Sequence, residues 1–442
     1  ILRRFPNDNL ISWLTGARLP ALRRWASRKA ADRALHWAAL NGAPNDPYVL
    51  ARLGLYPLAC VANALDAKAR IGQLLARIAL GEVDSDAADA LSQLPPAMRR
   101  LAARLLALQD VEAAIALLDD NTPEAVAACL IALDRPEDAR LQLSQGAGHG
   151  REAAALLTHI AVSAGEYSEA RSALNQMFAQ DGLGPVIDES GSSFSLDDLG
   201  GTAEAIENEP KVSVIIPYRD AQETLETAIR SMAGQSWRNI EIIAVDDGST
   251  DAGPDIVHRM AAADERIMAL SNTRIPGVYG ARNSAIDAAS GEYIAFLDAD
   301  DWSPCERIAR QVSRMGSHAV GIANHIRMDD TGRPVAPRVF PVVRPVPITF
   351  LTRRETLVSA GPFEEVATGA DSEMLARLEM LHGKAAIHRD AAVLLVARWR
   401  TGSLSQAAEG GLLGMDRYAY RADWMFRHAG RDAPRLPGTA RT

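Results

Sequence analysis

Five residues, Val212-Ser213-Val214-Ile215-Ile216, open the part of the chain that decides the fold. Their apolar side chains predict a short, buried β-strand. The predicted elements that follow are a helix over 221–233, a strand over 240–245, a helix near 255–263, a strand over 267–270, a helix around 281–289 and a strand over 293–297. Because strands joined by crossover helices run parallel, this alternation predicts an α/β domain with a parallel sheet.

Polar clusters follow the ends of the predicted strands. They are Pro217-Tyr218-Arg219-Asp220, Asp246-Asp247-Gly248-Ser249-Thr250-Asp251, Gly277-Val278-Tyr279-Gly280-Ala281-Arg282-Asn283 and Asp298-Ala299-Asp300-Asp301. Ligands of parallel sheets gather at the carboxyl ends of the strands. Carboxylate oxygens at that edge would bind Mg²⁺ or Mn²⁺ and, through the cation, a phosphate. The pattern predicts a site for a nucleoside diphosphate and a divalent cation, where the cation and an arginine stabilise charge on a departing diphosphate.

Together these clusters resemble the family-2 glycosyltransferases of the GT-A fold. The matching stretches are Val212–Pro217, Val245–Asp251, Ala281–Ser284 and Gly291–Trp302, in the order and spacing of that family. The resemblance implies a GT-A (Rossmann-like) α/β catalytic domain over residues 211–405. It also implies an inverting transfer from a nucleotide-diphosphate sugar, with a UDP-sugar as expected donor and Mn²⁺ or Mg²⁺ as cofactor. The implied acceptor is a glycan or lipid-linked sugar of bacterial surface-polysaccharide synthesis.

A protein of a different class is the alternative, namely a scaffold whose degenerate transferase domain binds nucleotide without turnover. Intact acids at the expected positions favour the enzyme.

Single residues acquire roles from the same resemblance. Asp247 would accept a hydrogen bond from the base. Asp298 would contact the ribose or donor sugar and share the cation with Asp300, the principal metal ligand. The other implied donor-site residues are Pro217, Tyr218, Arg219, Arg282 and Asn283. By contrast, Asp246 and Asp251 could equally cap the turn after their strand.

The catalytic base is sought in residues 369–377, because an inverting transfer needs a carboxylate that takes the proton of the acceptor hydroxyl. Family members place this base before a short helix that ends in arginine. Counting back from Arg377 gives Asp371, with Glu373 as the alternative. The alternative is that both acids are simply N-terminal residues of a helix and interact favourably with its dipole. Further on, Arg400 stands where some relatives have a metal-binding histidine, and it would pair with the diphosphate or be an ordinary surface residue.

Residues 41–180 are rich in alanine and leucine at helical spacing and predict a separate all-α domain. Three similar helix-opening stretches, at Val111, Pro136 and Tyr167, resemble the helical hairpins of tetratricopeptide-like arrays. Such arrays bind a protein partner on a concave face; simple packing against a neighbouring domain is the alternative. Residues 181–210 contain eight acidic and no basic residues, which predicts an acidic linker.

Both ends of the chain combine cationic and aromatic residues. Residues 1–40 carry a net charge of +6 together with Trp13 and Trp25, and residues 406–442 contain a second predicted amphipathic helix and a tail. Such helices bind an anionic membrane surface or dock on other helices. The overall charge of −9 disfavours a nucleic-acid partner, and three dispersed cysteines favour a reducing compartment. We expect a cytoplasmic location, peripheral at the inner face of the cell membrane if the ends bind lipid.

Overall fold

The computed structural model describes residues 47, 51, 56–61, 67–79, 91, 94–119, 121–145, 150–207, 210–400, 403 and 415–429. Its contacts divide the chain into two compact units. The first comprises residues 1–146, 337–340 and 401–434, and the second comprises residues 147–336, 341–400 and 435–442. The predicted cationic segment over residues 1–40 lies outside the described residues.

The first unit is mainly helical over its described residues. Its elements are α1 (Tyr56–Val61), α2 (Ala67–Ala79), α3 (Pro96–Leu106), α4 (Val111–Ala116), α5 (Pro123–Ala132), α6 (Pro136–Gln145) and the C-terminal helix Met415–Ala429. Small apolar side chains such as Ala102 and Ala127 are buried between them. The N-terminus of α4 is capped by Asp110, whose carboxylate accepts a hydrogen bond from the Ala113 N–H at 2.9 Å. The predicted helices are present, whereas the tetratricopeptide-like repeat stays a prediction.

The C-terminal helix, which lies in the segment predicted to contain an amphipathic helix, buries Trp424. Over the part of the chain that the structure describes, no helix is both long and apolar enough to cross a membrane.

The second unit begins with α7 (Arg151–Ala164), α8 (Tyr167–Ala179) and the acidic segment, which includes a short 3₁₀ turn at Leu196–Asp198. The acidic segment packs its apolar side chains inside this unit: Leu183, Val186, Ile187, Phe194, Leu196 and Leu199 are buried. The side chain of Asn175 on α8 holds the backbone of the acidic segment. Its Oδ1 accepts a hydrogen bond from Val186 N, and its Nδ2 donates one to Ile187 O. Contacts thus divide the chain near residue 147, whereas the sequence predicted a boundary at the linker over 181–210. Composition concealed this arrangement because exposed acids such as Asp188, Glu189, Asp197 and Asp198 alternate with the buried apolar residues.

An eight-stranded mixed sheet forms the centre of the second unit. Its strands are β1 (Val212–Tyr218), β2 (Ile240–Asp246), β3 (Ile267–Ser271), β4 (Tyr293–Phe296), β5 (Val320–Asp329), β6 (Pro334–Val335), β7 (Arg344–Arg353) and β8 (Ile387–Trp399). The order is β3-β2-β1-β4-β7-β5-β6, and β8 pairs with β5. The predicted parallel sheet is confirmed for β1 to β4; β7 then pairs with β4 in the antiparallel sense.

Six helices accompany these strands. They are α9 (Leu225–Ala233), α10 (Gly253–Ala263), α11 (Val278–Ala288), α12 (Arg307–Met315), α13 (Arg354–Ala360) and α14 (Ala370–His382), with a 3₁₀ turn at Lys384–Ala386 before β8. Every residue of β1 and β4 is buried, so polar side chains become accessible only where these strands end. Because β1, β2 and β4 run parallel, their carboxyl ends lie at one edge of the sheet.

Candidate active site

The carboxylate of Asp247 lies just beyond β2 and is held by the start of α11. Both of its oxygens accept a hydrogen bond from the Gly277 N–H, at 3.0 and 2.8 Å, and Asn272 Nδ2 donates to Oδ1 at 2.6 Å. The backbone φ of Gly277 is +135°, a conformation that favours glycine. The loop before α11 therefore orients Asp247 at the edge of the sheet while its side chain stays half-buried.

One turn further along α11, Arg282 is buried behind Asp298. Its Nη2 donates to Asp298 Oδ1 at 2.6 Å, and its guanidinium lies over the rings of Tyr279 and Phe296, 5.3 and 5.7 Å from their centroids. Burial acts to lower the pKa of Arg282, but Asp298, Tyr279 and Asp371 together outweigh it and the pKa is raised. Asp298 keeps 39% of its side chain exposed. The buried cation thus fixes this carboxylate without covering it.

Three acids crowd together after β4. Burial, followed by the charge of Asp298, raises the pKa of Asp300 to about 6. Asp301 is buried, accepts a hydrogen bond from Arg398 N at 3.1 Å, and has a raised pKa because of burial and the neighbouring carboxylates. Arg400 Nε lies 3.8 Å from Asp300 Oδ2. Burial and the neighbouring carboxylates together disfavour the charged forms of Asp300 and Asp301, and a bound cation would relieve this penalty.

The acids of this cluster offer oxygen donors of the kind that a divalent cation binds. Among the described residues, no three His, Cys, Asp or Glu side chains gather in a way that could hold a metal ion by themselves. Mg²⁺ commonly takes only one or two protein carboxylates and completes its shell with substrate phosphates and water. Asp298 and Asp300, both partly exposed and both oxygen donors, fit that mode.

A cavity of about 340 Å³ opens beside Arg400. Its other lining residues are Asp220, Gln222, Glu223, Thr250 and Asp251. The predicted residues at the end of β1 differ in their exposure: Pro217 and Tyr218 are buried, whereas Arg219 is exposed and pairs loosely with Asp220 at 3.9 Å. Burial also raises the pKa of the Tyr218 phenol. Arg400 and Arg219 are therefore the predicted donor-site cations with access to solvent.

Asp246 and Asp251, which stand at and after the end of β2, stabilise turns of the backbone. Asp246 Oδ1 accepts a hydrogen bond from Ser249 N at 2.9 Å. Asp251 accepts from Gln222 N at 2.8 Å and from Gly253 N at 2.9 Å. Of the two alternatives that the sequence left open for these acids, the structure supports the turn.

Asn283 is 1% exposed, and its amide holds the segment that precedes α14. Its Nδ2 donates to Phe363 O at 3.0 Å and to Glu365 Oε1 at 3.1 Å, and its Oδ1 accepts from Phe363 N at 2.9 Å. The side chain therefore faces the chain itself, whereas the resemblance implied a place near the nucleotide.

The two candidate bases occupy opposite faces of the first turn of α14. Asp371 is partly exposed, and its Oδ1 accepts a hydrogen bond from the Tyr279 hydroxyl at 3.2 Å. Glu373 is 1% exposed and is paired through both oxygens with the buried Arg377. Arg377 also donates to the carbonyls of Ala360 and Pro362. Of these two carboxylates, that of Asp371 has access to solvent and that of Glu373 does not.

Sequence reasoning missed Tyr279, Asp301 and Arg398 as parts of this constellation. Tyr279 stands inside the third quoted cluster, but only the helical register of α11 shows that it faces α14. Four residues at the start of α11 each donate a hydrogen bond to a different partner: Gly277 to Asp247, Tyr279 to Asp371, Arg282 to Asp298 and Asn283 to Phe363. The spacing of three and four residues was the available signal.

Part of this chain is similar in sequence to known proteins. Residues 213–361 match the family described as Glycosyl transferase family 2. The Escherichia coli UDP-Glc:alpha-D-GlcNAc-diphosphoundecaprenol beta-1,3-glucosyltransferase WfaP is 39% identical over 109 residues, covering 25% of this chain and 43% of that protein. The Campylobacter jejuni GalNAc(5)-diNAcBac-PP-undecaprenol beta-1,3-glucosyltransferase is 41% identical over 93 residues, covering 21% of this chain and 30% of that protein.

Among solved structures, the crystal structure of S. aureus TarS 1-349 in complex with UDP-GlcNAc aligns at 20% identity and a TM-score of 0.36, over 45% of this chain and 61% of that chain. The segments of this chain that match the two glucosyltransferases cover less than half the length of either protein. The family match and the parallel strands β1 to β4 show a GT-A-like α/β domain. The chain therefore carries a glycosyl transferase family 2 domain.

Proposed function

We propose that the second unit is a metal-dependent, inverting glycosyltransferase that moves a sugar from a UDP-sugar to a lipid-linked or glycan acceptor. The observation that carries the proposal is the convergence of Asp298, Asp300 and Asp371 on one edge of the sheet, all partly exposed and linked through Arg282 and Tyr279. Acids for a cation and an acid for a proton are the two requirements of this reaction.

Asp298 and Asp300 would hold Mn²⁺ or Mg²⁺, which supplies positive charge for the diphosphate that leaves the donor. Arg400, whose guanidinium lies beside Asp300 and lines the cavity, pairs with the same diphosphate. Asp247 accepts a hydrogen bond from the base at the end of β2. Arg282 keeps Asp298 oriented, because a buried guanidinium with two aromatic neighbours has little freedom to move.

Asp371 takes the proton of the acceptor hydroxyl as the oxygen of that hydroxyl attacks the anomeric carbon of the donor. The bond from this carbon to the diphosphate oxygen breaks on the opposite face, so the anomeric configuration inverts. The support for this role is that Asp371 is partly exposed, whereas Glu373 is buried and paired with Arg377.

The acceptor is proposed as a sugar carried on a lipid diphosphate. Its support is that two similar proteins are named for glucosyl transfer to diphosphoundecaprenol-linked sugars. Such an acceptor would bring the chain to the inner face of the cell membrane, where residues 1–40 would add charge attraction. The helical first unit is proposed to bind a protein partner.

The test uses the purified full chain, UDP-glucose and a GlcNAc-diphosphate that carries a short lipid tail. We expect disaccharide formation with Mn²⁺, loss of product when EDTA removes the metal, and an inverted anomeric configuration by NMR. Retained configuration would contradict the mechanism. Metal-dependent UDP binding without transfer or donor hydrolysis would support the scaffold alternative instead.

A further inference from the structure

The phenol of Tyr279 lies between the donor side of the site and the proposed base. Its ring is buried, and its hydroxyl is hydrogen-bonded both to Asp371 Oδ1, at 3.2 Å, and to Gly369 N, at 3.0 Å. The first contact reaches the side chain in the first turn of α14, and the second reaches the backbone just before that helix. Tyr279 therefore holds both the base and the helix that carries it.

Elementary hydrogen-bond chemistry fixes the direction of these two contacts. A backbone N–H can only donate, so the phenol oxygen must accept from Gly369. The single hydroxyl hydrogen is then left for the carboxylate of Asp371, which accepts it. The backbone φ of Gly369 is +89°, so this position is one that a glycine adopts without strain.

The ring of Tyr279 is itself fixed by contacts on the donor side. It stacks on Phe363 with centroids 5.8 Å apart and an interplanar angle of 29°. The guanidinium of Arg282, which bonds Asp298, lies 5.3 Å from the ring centroid. A side chain on the adjacent Gly280 would place its Cβ only 2.0 Å from the Ile275 carbonyl oxygen, so α11 packs closely at this point. These contacts set the position of the phenol relative to Asp298.

We propose that Tyr279 is the positioning residue that holds the carboxylate of Asp371 at the distance and angle from which it removes the acceptor proton. This inference rests on the proposed function and adds a residue to it. Tyr279 acts through Asp371: it orients the carboxylate relative to the donor, while the proton of the acceptor still goes to Asp371. A small displacement of a reacting group lowers the rate strongly, because the reaction depends on near-attack geometry.

The first experiment compares Tyr279→Phe with the matched control Tyr293→Phe, which makes the same change at the first residue of β4. Phenylalanine keeps the stack on Phe363 and the cation–π contact but removes the hydroxyl. With UDP-glucose and the short-tailed GlcNAc-diphosphate, we expect kcat of Tyr279→Phe to fall about 10-fold. Its KM for UDP-glucose and its affinity for UDP with Mn²⁺ should equal those of the Tyr293→Phe control.

The second experiment tests whether the phenol works through the carboxylate. In an Asp371→Asn background, adding Tyr279→Phe should lower the residual transfer rate no further, because the group that the phenol positions is already gone. Thermal unfolding of the two single variants and the double variant provides a readout without substrate. Non-additive changes in Tm are expected for two side chains in contact.

Three results would overturn the positioning role: a full kcat in Tyr279→Phe, an equal loss caused by Tyr279→Phe with and without Asp371, or strictly additive effects on unfolding. The proposed function fails differently. If Asp371→Asn transfers at the wild-type rate, the proposed base is wrong and the role of Tyr279 falls with it. If Asp371→Asn is inactive while Tyr279→Phe is fully active, the base stands and only the positioning role is wrong.

Discussion

Carboxylates at the two edges of the same sheet have opposite shifts in pKa. At the amino edge, Glu241 is surrounded by donors: Lys211 Nζ, Ser290 N and Ser290 Oγ each lie 2.7 Å from it, and Ser213 also bonds it. Burial alone would raise its pKa, but these hydrogen bonds lower the pKa of Glu241 to about 2. At the carboxyl edge, burial and a neighbouring carboxylate raise the pKa of Asp300 to about 6.

This difference separates a structural acid from a functional one. The oxygens of a structural carboxylate accept hydrogen bonds from the protein, and these hydrogen bonds stabilise its negative charge. A carboxylate that serves a ligand is left with like charges nearby and open coordination sites, at a cost in stability that the ligand relieves. Four predictions break or sharpen this contrast.

The largest effect is expected from Asp300→Ala. Removing the proposed metal ligand should lower transfer by about 10³-fold, the upper range for losing one charge-stabilising group. Calorimetric titration of UDP with Mn²⁺ should show no metal-dependent binding, while the Tm in EDTA stays at or above that of the wild type. Unchanged UDP affinity would remove Asp300 from the metal site.

Next in size is the contrast between the two acids of α14. Asp371→Asn should lower transfer about 10²-fold or more at saturating donor, with little change in UDP affinity. Glu373→Gln should instead destabilise the fold by about 3–5 kcal/mol, because it leaves the charge of Arg377 buried without its partner. Initial rates and urea unfolding on both variants check this. An inactive, stable Glu373→Gln beside an active Asp371→Asn would reverse the two roles.

A smaller effect is expected at the amino edge. Glu241→Gln should lower the free energy of unfolding by about 2 kcal/mol, since hydrogen bonds to a charged group are lost. Its transfer rate per folded molecule should match the wild type, because the sheet separates Glu241 from the site. A specific loss of kcat in this variant would break the division between the two edges.

The smallest effect concerns pH in the absence of metal. The folded chain holds the proton of Asp300 more tightly than the unfolded chain does, because the pKa is about 6 instead of the ordinary 3.8. The stabilisation from this proton is present below about pH 4 and is lost as the pH rises through 6. Glu241 behaves in reverse: its contribution is present above pH 4.5 and is lost as the pH falls through 2.

Thermal scans in EDTA between pH 4 and 7 therefore distinguish the two edges. Relative to wild type, Asp300→Asn should gain a few °C in Tm as the pH rises from 4 to 7. Glu241→Gln should stay below the wild type by a nearly constant amount above pH 5. Parallel curves for Asp300→Asn and wild type would show that Asp300 carries no such penalty.

The candidate site illustrates how far residue patterns reach. Asp247, Asp298 and Asp371 could be named from the sequence because each follows a strand or opens a helix in a readable motif. Asn283 and Glu373 were named with the same reasoning, yet both face inward to Phe363 and Arg377. Motif position specifies where a residue stands along the chain, but the direction of its side chain depends on which neighbours pack against it.

The sequence by itself determined the alternation of strands and helices, the parallel core of the sheet and the acids at its carboxyl edge, because hydrophobic periodicity and turn chemistry are local. Only the tertiary structure decided that residues 150–207 pack with the sheet, that Glu241 is filled by donors while Asp300 is not, and that Tyr279 reaches Asp371 across 92 positions of the chain. These features arise from contacts between distant segments. Burial and hydrogen-bond partners, which set both pKa and orientation, exist only once those segments have packed.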